Sequence, residues 1–275
     1  MNAIAVESLD DVRLAPYRDV RDADLRGRDG LFLVESEPVL RRVLASSWTV
    51  DSILVSPTRL ARLRADGGLE AHAGPVYVLD DAAMSTISGY RVHGGVLASG
   101  RRPAASADAV DRVLGGLDPE RDWCVVLCEG VTHVDNIGSV FRNAAAFGAD
   151  AVILDATCAD PLFRKAIRIS MGHVFAVPWA TSADWGADLE RLRTRWGMTV
   201  CAAESVAGAR SITEIPRSGR RGFVFGSEGR GVSSSTLASC DGVYAIPMAP
   251  GVPSLNVAVA SAVLLHEVRR ADGGD

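Results

Sequence analysis

The chain has 275 residues, of which 48% are hydrophobic and 23% charged, so it has the composition of a soluble globular protein and the length of one large domain or two ordinary ones. That composition excludes disorder, and a chain this long buries enough apolar surface to need no disulfide or metal staple. The formal net charge of −5 excludes a protein that coats nucleic acid non-specifically, because such binding rests on neutralising phosphates.

The first 105 residues carry short elements. LFLVES (31–36) reads as a strand and EPVLRRVLAS (37–46) as a helix. VDSILVS (50–56), VYVL (76–79) and GGVLAS (94–99) read as further strands. SGRRPAASAD (99–108) is polar and rich in small residues, and reads as a linker. The texture then changes. WCVVLC (123–128) is a continuous apolar run, the mark of a strand buried on both faces. A helix is predicted over 137–147 with Gly148 just past its end, then a second buried strand, AVILD (151–155). DPLFRKAIRIS (160–170) fits a helix with Asp160 as N-cap and Pro161 at its first position. HVFAVPW, a helix across 184–196, MTVCAA, RGFVFGSEGRG, a short helix near 233–239, VYAIP and a helix over 254–270 complete the chain. Alternating apolar strands and helices predict a parallel α/β sheet with helices on both faces.

Several chemistries are disfavoured. The N-terminus lacks a basic stretch before an apolar run, and the longest uncharged stretch (242–265) is broken by Pro247, Pro250, Gly251 and Pro253, so neither a secretory signal nor a membrane span is expected. The five cysteines are odd in number and mostly sit in apolar runs, which predicts reduced core thiols in a cytoplasmic protein. His133, His173 and His266 show no metal-ligand spacing, His72 and His93 lie far away in the first half, and no G-x-S-x-G elbow is present. No metal is expected. Lys165 is the single lysine, and the other 28 basic residues are arginines; a GC-rich genome explains that bias, yet it makes nearly every cation a planar bidentate donor.

In parallel α/β sheets ligands sit outside the carboxyl ends of the strands, and three segments there carry unusual residues. In the first, Asn136 and Gly138 open a helix and Arg142 lies further in, so the two polar groups either border one cavity or are a capping amide and a solvated cation. In the second, a strand ends in Gly226, Gly229 and Gly231, with the acidic Glu228 among them. It matches neither G-x-G-x-x-G nor a phosphate loop and reads as a tight turn or a place where backbone meets ligand. In the third, three prolines precede Ser254, Leu255 and Asn256. Ser254 reads as an N-cap, and Asn256 as a buried amide whose partners a ligand would supply.

Together these segments resemble the SpoU/TrmH family of RNA ribose 2′-O-methyltransferases, within the SPOUT superfamily. Asn136, Gly138 and Arg142 match its first motif, Gly226-Ser227-Glu228-Gly229-Arg230-Gly231 its second, and Ile246-Pro247-Met248 with 254–260 its third, where Ala258 replaces the usual Ser. RDGLFLVESEPVLRRVL and GGVLA resemble the family's small ribosomal-protein-like α/β substrate domain, with Ser36 in place of the usual Gly.

The resemblance implies an RNA-binding domain over 1–105 and a knotted parallel-sheet (trefoil) catalytic domain over 106–275. It implies a homodimer that transfers a methyl group from S-adenosylmethionine to a ribose 2′-hydroxyl of rRNA or tRNA. Gly226, Ile246, Met248 and Leu255 would hold the cofactor, and Arg142, Asn136, Glu228, Ser254 and Asn256 would serve catalysis. Arginine is always protonated, so Arg142 is expected to anchor phosphate and activate the hydroxyl rather than act as a literal base. A catalytically inactive knotted RNA-binding protein is the alternative. RNA contacts are expected from arginine clusters at Arg18, Arg21, Arg26 and Arg28, Arg41–Arg42, Arg101–Arg102, Arg164–Arg168 and Arg220–Arg221.

Overall fold

The computed structural model describes residues 3–20, 30–90, 92 and 94–271. His93, Arg21, Arg26 and Arg28 lie outside them. The chain divides into two compact units, one of Met1–Ala104 with Leu162–Ala176, the other of Ala105–Pro161 with Val177–Asp275.

In the first unit β1 (Ala3–Ala5), β2 (Leu31–Glu35), β3 (Val50–Val55), β4 (Val76–Val78) and β5 (Val96–Arg101) form a sheet in the order β1-β4-β3-β5-β2. β1, β4 and β3 run parallel, and β5 runs antiparallel to β3 and β2. The four strands read from the sequence are all present; β5 extends into the expected linker, where Ser99 is buried. Helices α1 (Glu37–Leu44), α2 (Pro57–Ala65) and α3 (Asp81–Ser88) follow β2, β3 and β4. Proline in the first turn of α1 and α2 starts both helices where a free N–H would be wasted. A buried hydroxyl chain, Tyr17 to Ser52 at 2.7 Å and Ser52 to Ser99 at 3.0 Å, satisfies three polar groups under the sheet.

The second unit opens with α4 (Ala109–Gly115), β6 (Trp123–Cys128), α5 (Val134–Phe147) and β7 (Ala151–Leu154). Every residue of β6 and β7 is buried, as a strand covered on both faces requires. Trp123, Val125 and Leu127 face a core shared with Val110 and Leu114 of α4, and the alternate residues face the other side.

The chain then enters Leu162–Ala176, which was expected in the second domain but packs within the first unit. Phe175 meets Phe32 and Trp48 at ring separations of 5.0 and 5.5 Å, and Arg164 pairs with Glu35 at 2.9 Å. Helix α6 (Arg164–Ile169) begins later than Asp160 and Pro161 suggested. Ala159 donates to Val131 C=O and Leu162 is buried, which keeps the intervening chain out of helical geometry. The apolar run at 173–179 is a short 3-10 turn, His173–Phe175, leading into the next strand.

Back in the second unit come β8 (Trp179–Thr181), α7 (Trp185–Thr194), β9 (Thr199–Ala203), β10 (Arg210–Ser211), β11 (Arg220–Phe225), α8 (Ser234–Ser239), β12 (Gly242–Ala245) and α9 (Val257–Ala271). The sheet order is β10-β12-β9-β11-β6-β7-β8, and every pairing is parallel. β11 therefore lies between β6 and β9, and all carboxyl ends open on one edge.

Ser36 stands at φ +78°, ψ +148°, a region that glycine occupies freely and that strains any residue with a Cβ. Its hydroxyl makes no capping bond in return. Ser36→Gly is expected to stabilise the first unit by about 1 kcal/mol. In thermal unfolding that is a rise of about 2–4 °C; a fall would contradict the strain.

Candidate active site

Three segments meet at the carboxyl edge of the seven-stranded sheet, and side-chain amides join them. Asn256 sits just before α9. Its Oδ1 accepts from the N–H groups of Ala258 (2.9 Å) and Val259 (3.4 Å), so Asn256, not Ser254, caps the helix. With Oδ1 committed, Nδ2 is the donor, and it reaches Oδ1 of Asn136 at 3.1 Å. Asn136 lies in the first turn of α5 and is buried. Its own Nδ2 then donates to Oε1 of Glu228. The line runs one way, from a helix N-terminus through two amides to a carboxylate. Asn256 was expected to be buried; it is exposed, and the protein itself supplies its partners.

Glu228 is held at the tip of a hairpin. Ser227 and Gly231 exchange backbone hydrogen bonds at 3.1 and 2.9 Å, and Glu228-Gly229-Arg230 form the turn. Gly226 follows β11, and a Cβ there would fall inside the backbone of Gly231 and Val232. Gly231 has φ +68°, and a Cβ there would collide with the carboxylate of Glu204. Both motif glycines are thus demanded by close approach. The acidity of the turn also has a use, because Glu228 is the acceptor that ends the amide line.

Two residues outside the motifs brace this edge. Glu204, just past β9, accepts from Val232 N–H at 2.7 Å through Oε2 and from Ser205 N–H at 3.0 Å through Oε1, and its own N–H donates to Tyr244 C=O at 3.0 Å. Glu129, just past β6, accepts from Ser233 N–H (2.9 Å), Ser233 Oγ (2.7 Å) and Thr236 Oγ1 (2.8 Å), fixing the start of α8. A glutamate after an apolar strand was the only sequence signal for either.

Arg142 lies on α5 one turn beyond Gly138 on the same face. It is exposed and makes no hydrogen bond or ion pair among the described residues, and the same holds for Arg230. Ser254 and Leu255 are exposed, and Ile246 and Met248 are half-buried along the loop after β12. None of these four side chains joins the amide line.

Most other arginines are engaged. Arg221 is 1% exposed and donates to Pro216 C=O. Arg220 lies over the Trp123 ring and bonds the carbonyls of Trp196 and Pro119. Arg41 pairs with Glu37 and Asp66, Arg42 donates to Met171 C=O, Arg101 pairs with Asp51, and Arg102 donates to Leu31 C=O. Arg18 donates to Leu9 C=O. These clusters were expected to contact RNA; each arginine named here also bonds a carbonyl or carboxylate of its own chain.

All five cysteines are free. Burial pushes the Cys158 and Cys201 thiols up to about 12 and Cys240 up to about 11, and raises the Cys128 thiol as well. At neutral pH they are thiols, poor nucleophiles and poor metal ligands. Among the described residues no three His, Cys, Asp or Glu side chains are grouped to hold a metal, and no helix is long and apolar enough to cross a membrane.

Residues 124–266 match the SpoU rRNA Methylase family. The chain is 36% identical over 270 residues to an uncharacterized tRNA/rRNA methyltransferase of Mycobacterium tuberculosis, covering 95% of this chain and 90% of the relative. It is 31% identical to a 23S rRNA (guanosine-2′-O-)-methyltransferase of Burkholderia over 84% of this chain and 93% of that one. An rRNA methyltransferase from Sinorhizobium meliloti, crystallised with AdoMet, superposes with a TM-score of 0.81 at 24% identity, covering 98% of both chains. The match spans the amide line, the glycine hairpin and the first ten residues of α9 together, and the chain belongs to the SpoU rRNA methylase family.

Proposed function

We propose that the protein transfers a methyl group from S-adenosylmethionine to a ribose 2′-hydroxyl of RNA, with ribosomal RNA as its substrate. The observation that carries this reading is the Asn256–Asn136–Glu228 line, which joins all three motif segments beside an exposed, uncommitted Arg142. The name of the Burkholderia relative favours rRNA over tRNA.

The edge suits such a cofactor. At Gly229 the tip of the Gly226–Gly231 hairpin has open space above its backbone. Along 246–256 the only backbone bond within the loop joins Val252 N–H to Ala249 C=O, and the N–H groups of Met248 and Leu255 find no partner among the described residues. Uncovered peptide groups and apolar walls from Ile246, Met248 and Leu255 fit an adenine. When bound, the cofactor supplies a methyl group on a cationic sulfonium, which an edge lined by Glu228 and lacking a phosphate-loop lysine accommodates.

Arg142 anchors the phosphate next to the target ribose through its planar guanidinium. Its charge stabilises the negative charge that builds on the ribose oxygen as the hydroxyl proton passes to solvent water and the methyl group takes its place. Asn136 and Glu228 hold the hairpin to α5, and Asn256 ties the end of the cofactor loop to the same helix, so that loop and Arg142 keep a fixed separation, while the exposed Ser254 orients the ribose.

The reading extends to the rest of the molecule. Threading of β11 between β6 and β9, followed by the 246–256 loop, supports a trefoil knot. Leu255 and, one turn apart on α9, Val259 and Val263 are 38%, 49% and 37% exposed, an apolar stripe that supports a homodimer. The small sheet of the first unit supports a ribosomal-protein-like RNA-binding domain. Five free thiols support a cytoplasmic location.

Arg142→Ala is expected to lower turnover about 100–1000-fold while calorimetric affinity for S-adenosylmethionine changes by no more than about threefold, since Arg142 makes no bond within the cofactor loop. Retained turnover would remove Arg142 from the chemistry, and a wild-type protein that binds no cofactor would favour an inactive RNA-binding protein. Because so many arginines are internally paired, log affinity for structured RNA should fall with log salt at a slope shallower than about −4. A steeper slope, measured by filter binding, would mean that many more cations meet phosphate.

A further inference from the structure

Glu204 belongs to none of the three motifs, yet it touches two of the segments they define. β9 lies between β11 and β12, so the residue that follows it stands between the hairpin after β11 and the loop after β12. Glu204 uses both positions. Its backbone N–H holds Tyr244 C=O, two residues before Ile246. Its Oε2 takes Val232 N–H at 2.7 Å, the first residue after the glycine hairpin. Oε1 is tied to Ser205 N–H, which fixes the carboxylate's rotation.

The glycines record the same contact. Gly231 has no room for a Cβ because the Glu204 carboxylate occupies that space, and Gly226 has none because Gly231 and Val232 occupy it. Gly226, Gly231 and Glu204 are therefore stacked in backbone-to-backbone-to-carboxylate contact. Moving the carboxylate would free Val232 N–H and let the hairpin drift from β9. Glu228 at its tip would then lose its register with Asn136.

We infer that Glu204 is a positioning residue for cofactor binding: its carboxylate sets the spacing between the Gly226–Gly231 hairpin and the 246–256 loop. This rests on the reading that this edge holds S-adenosylmethionine. Glu204 itself need not touch the ligand. Its removal acts on affinity, and a saturating cofactor concentration restores the geometry.

The test uses the full-length protein with S-adenosylmethionine as the probe, by calorimetry and by steady-state methyl transfer. Glu204→Ala is expected to weaken cofactor binding at least about tenfold, as loss of a charge-assisted hydrogen bond implies. It should raise KM for the cofactor by a similar factor and leave kcat within about threefold. Glu204→Gln keeps one carbonyl acceptor and is expected to recover most of the affinity.

Gly231→Ala supplies the second arm. With Glu204 present the new methyl collides with the carboxylate and binding is weakened further; in the double variant Glu204→Ala/Gly231→Ala the collision is gone and only the strain of a Cβ at φ +68° remains, so the two effects fall short of additive. Circular dichroism checks that each variant folds. If the wild type binds and Glu204→Ala binds as well, or if the two substitutions add fully, Glu204 is not a positioning residue. If the wild type does not bind at all, it is the cofactor reading that fails.

Discussion

The carboxyl edge of the seven-stranded sheet hangs on a one-way line of hydrogen bonds from the N-terminus of α9 to a carboxylate. The free N–H groups of the helix fix the Asn256 oxygen, and that choice dictates every later donor and acceptor. Each bond in such a chain polarises the next, and a helix N-terminus at one end with an anion at the other gives the line a consistent electrical direction. An aspartate at 136 would set a carboxylate against Glu228. The residue types are therefore determined by one another, and three segments far apart in sequence become one surface.

Parallel strands make that surface possible. With every pairing parallel, the loops after β6, β9, β11 and β12 all emerge on one side, and each brings a polar group: Asn136, Glu204, Glu228 and Asn256. The apolar faces of β6 and β7 bury completely and supply rigidity. Short-range hydrogen bonds then place the loops on that base. The close approaches at Gly226 and Gly231 are the steric side of the same arrangement.

Charge is used sparingly. The chain is acidic overall, and many of its arginines are held by carbonyls, carboxylates or aromatic faces within a unit. Arginine suits that task, because its guanidinium forks satisfy several carbonyls at once. The cations left exposed beside the site, Arg142 and Arg230, gain importance from the pairing of the others.

The sequence by itself was enough for the sheet class and for the three motif segments. Continuous apolar runs such as WCVVLC need burial on both faces, and glycines next to strand ends need close approach, whatever lies around them. A serine before an apolar helix is the usual N-cap signal and points to Ser254; the helix starts at Val257, where Asn256 is the better-placed acceptor. Strand β1, helices α2 and α3, the attachment of Leu162–Ala176 to the first unit and the brace at Glu204 were not legible. Each depends on partners distant in the chain: Ala3 beside Val76, Phe175 against Phe32, Glu204 beneath Val232. Local pattern reports what a residue must avoid, such as water for an apolar side chain. Only the tertiary structure decides which neighbour a polar group finds, and hydrogen bonding, being short-ranged and directional, is settled at that level.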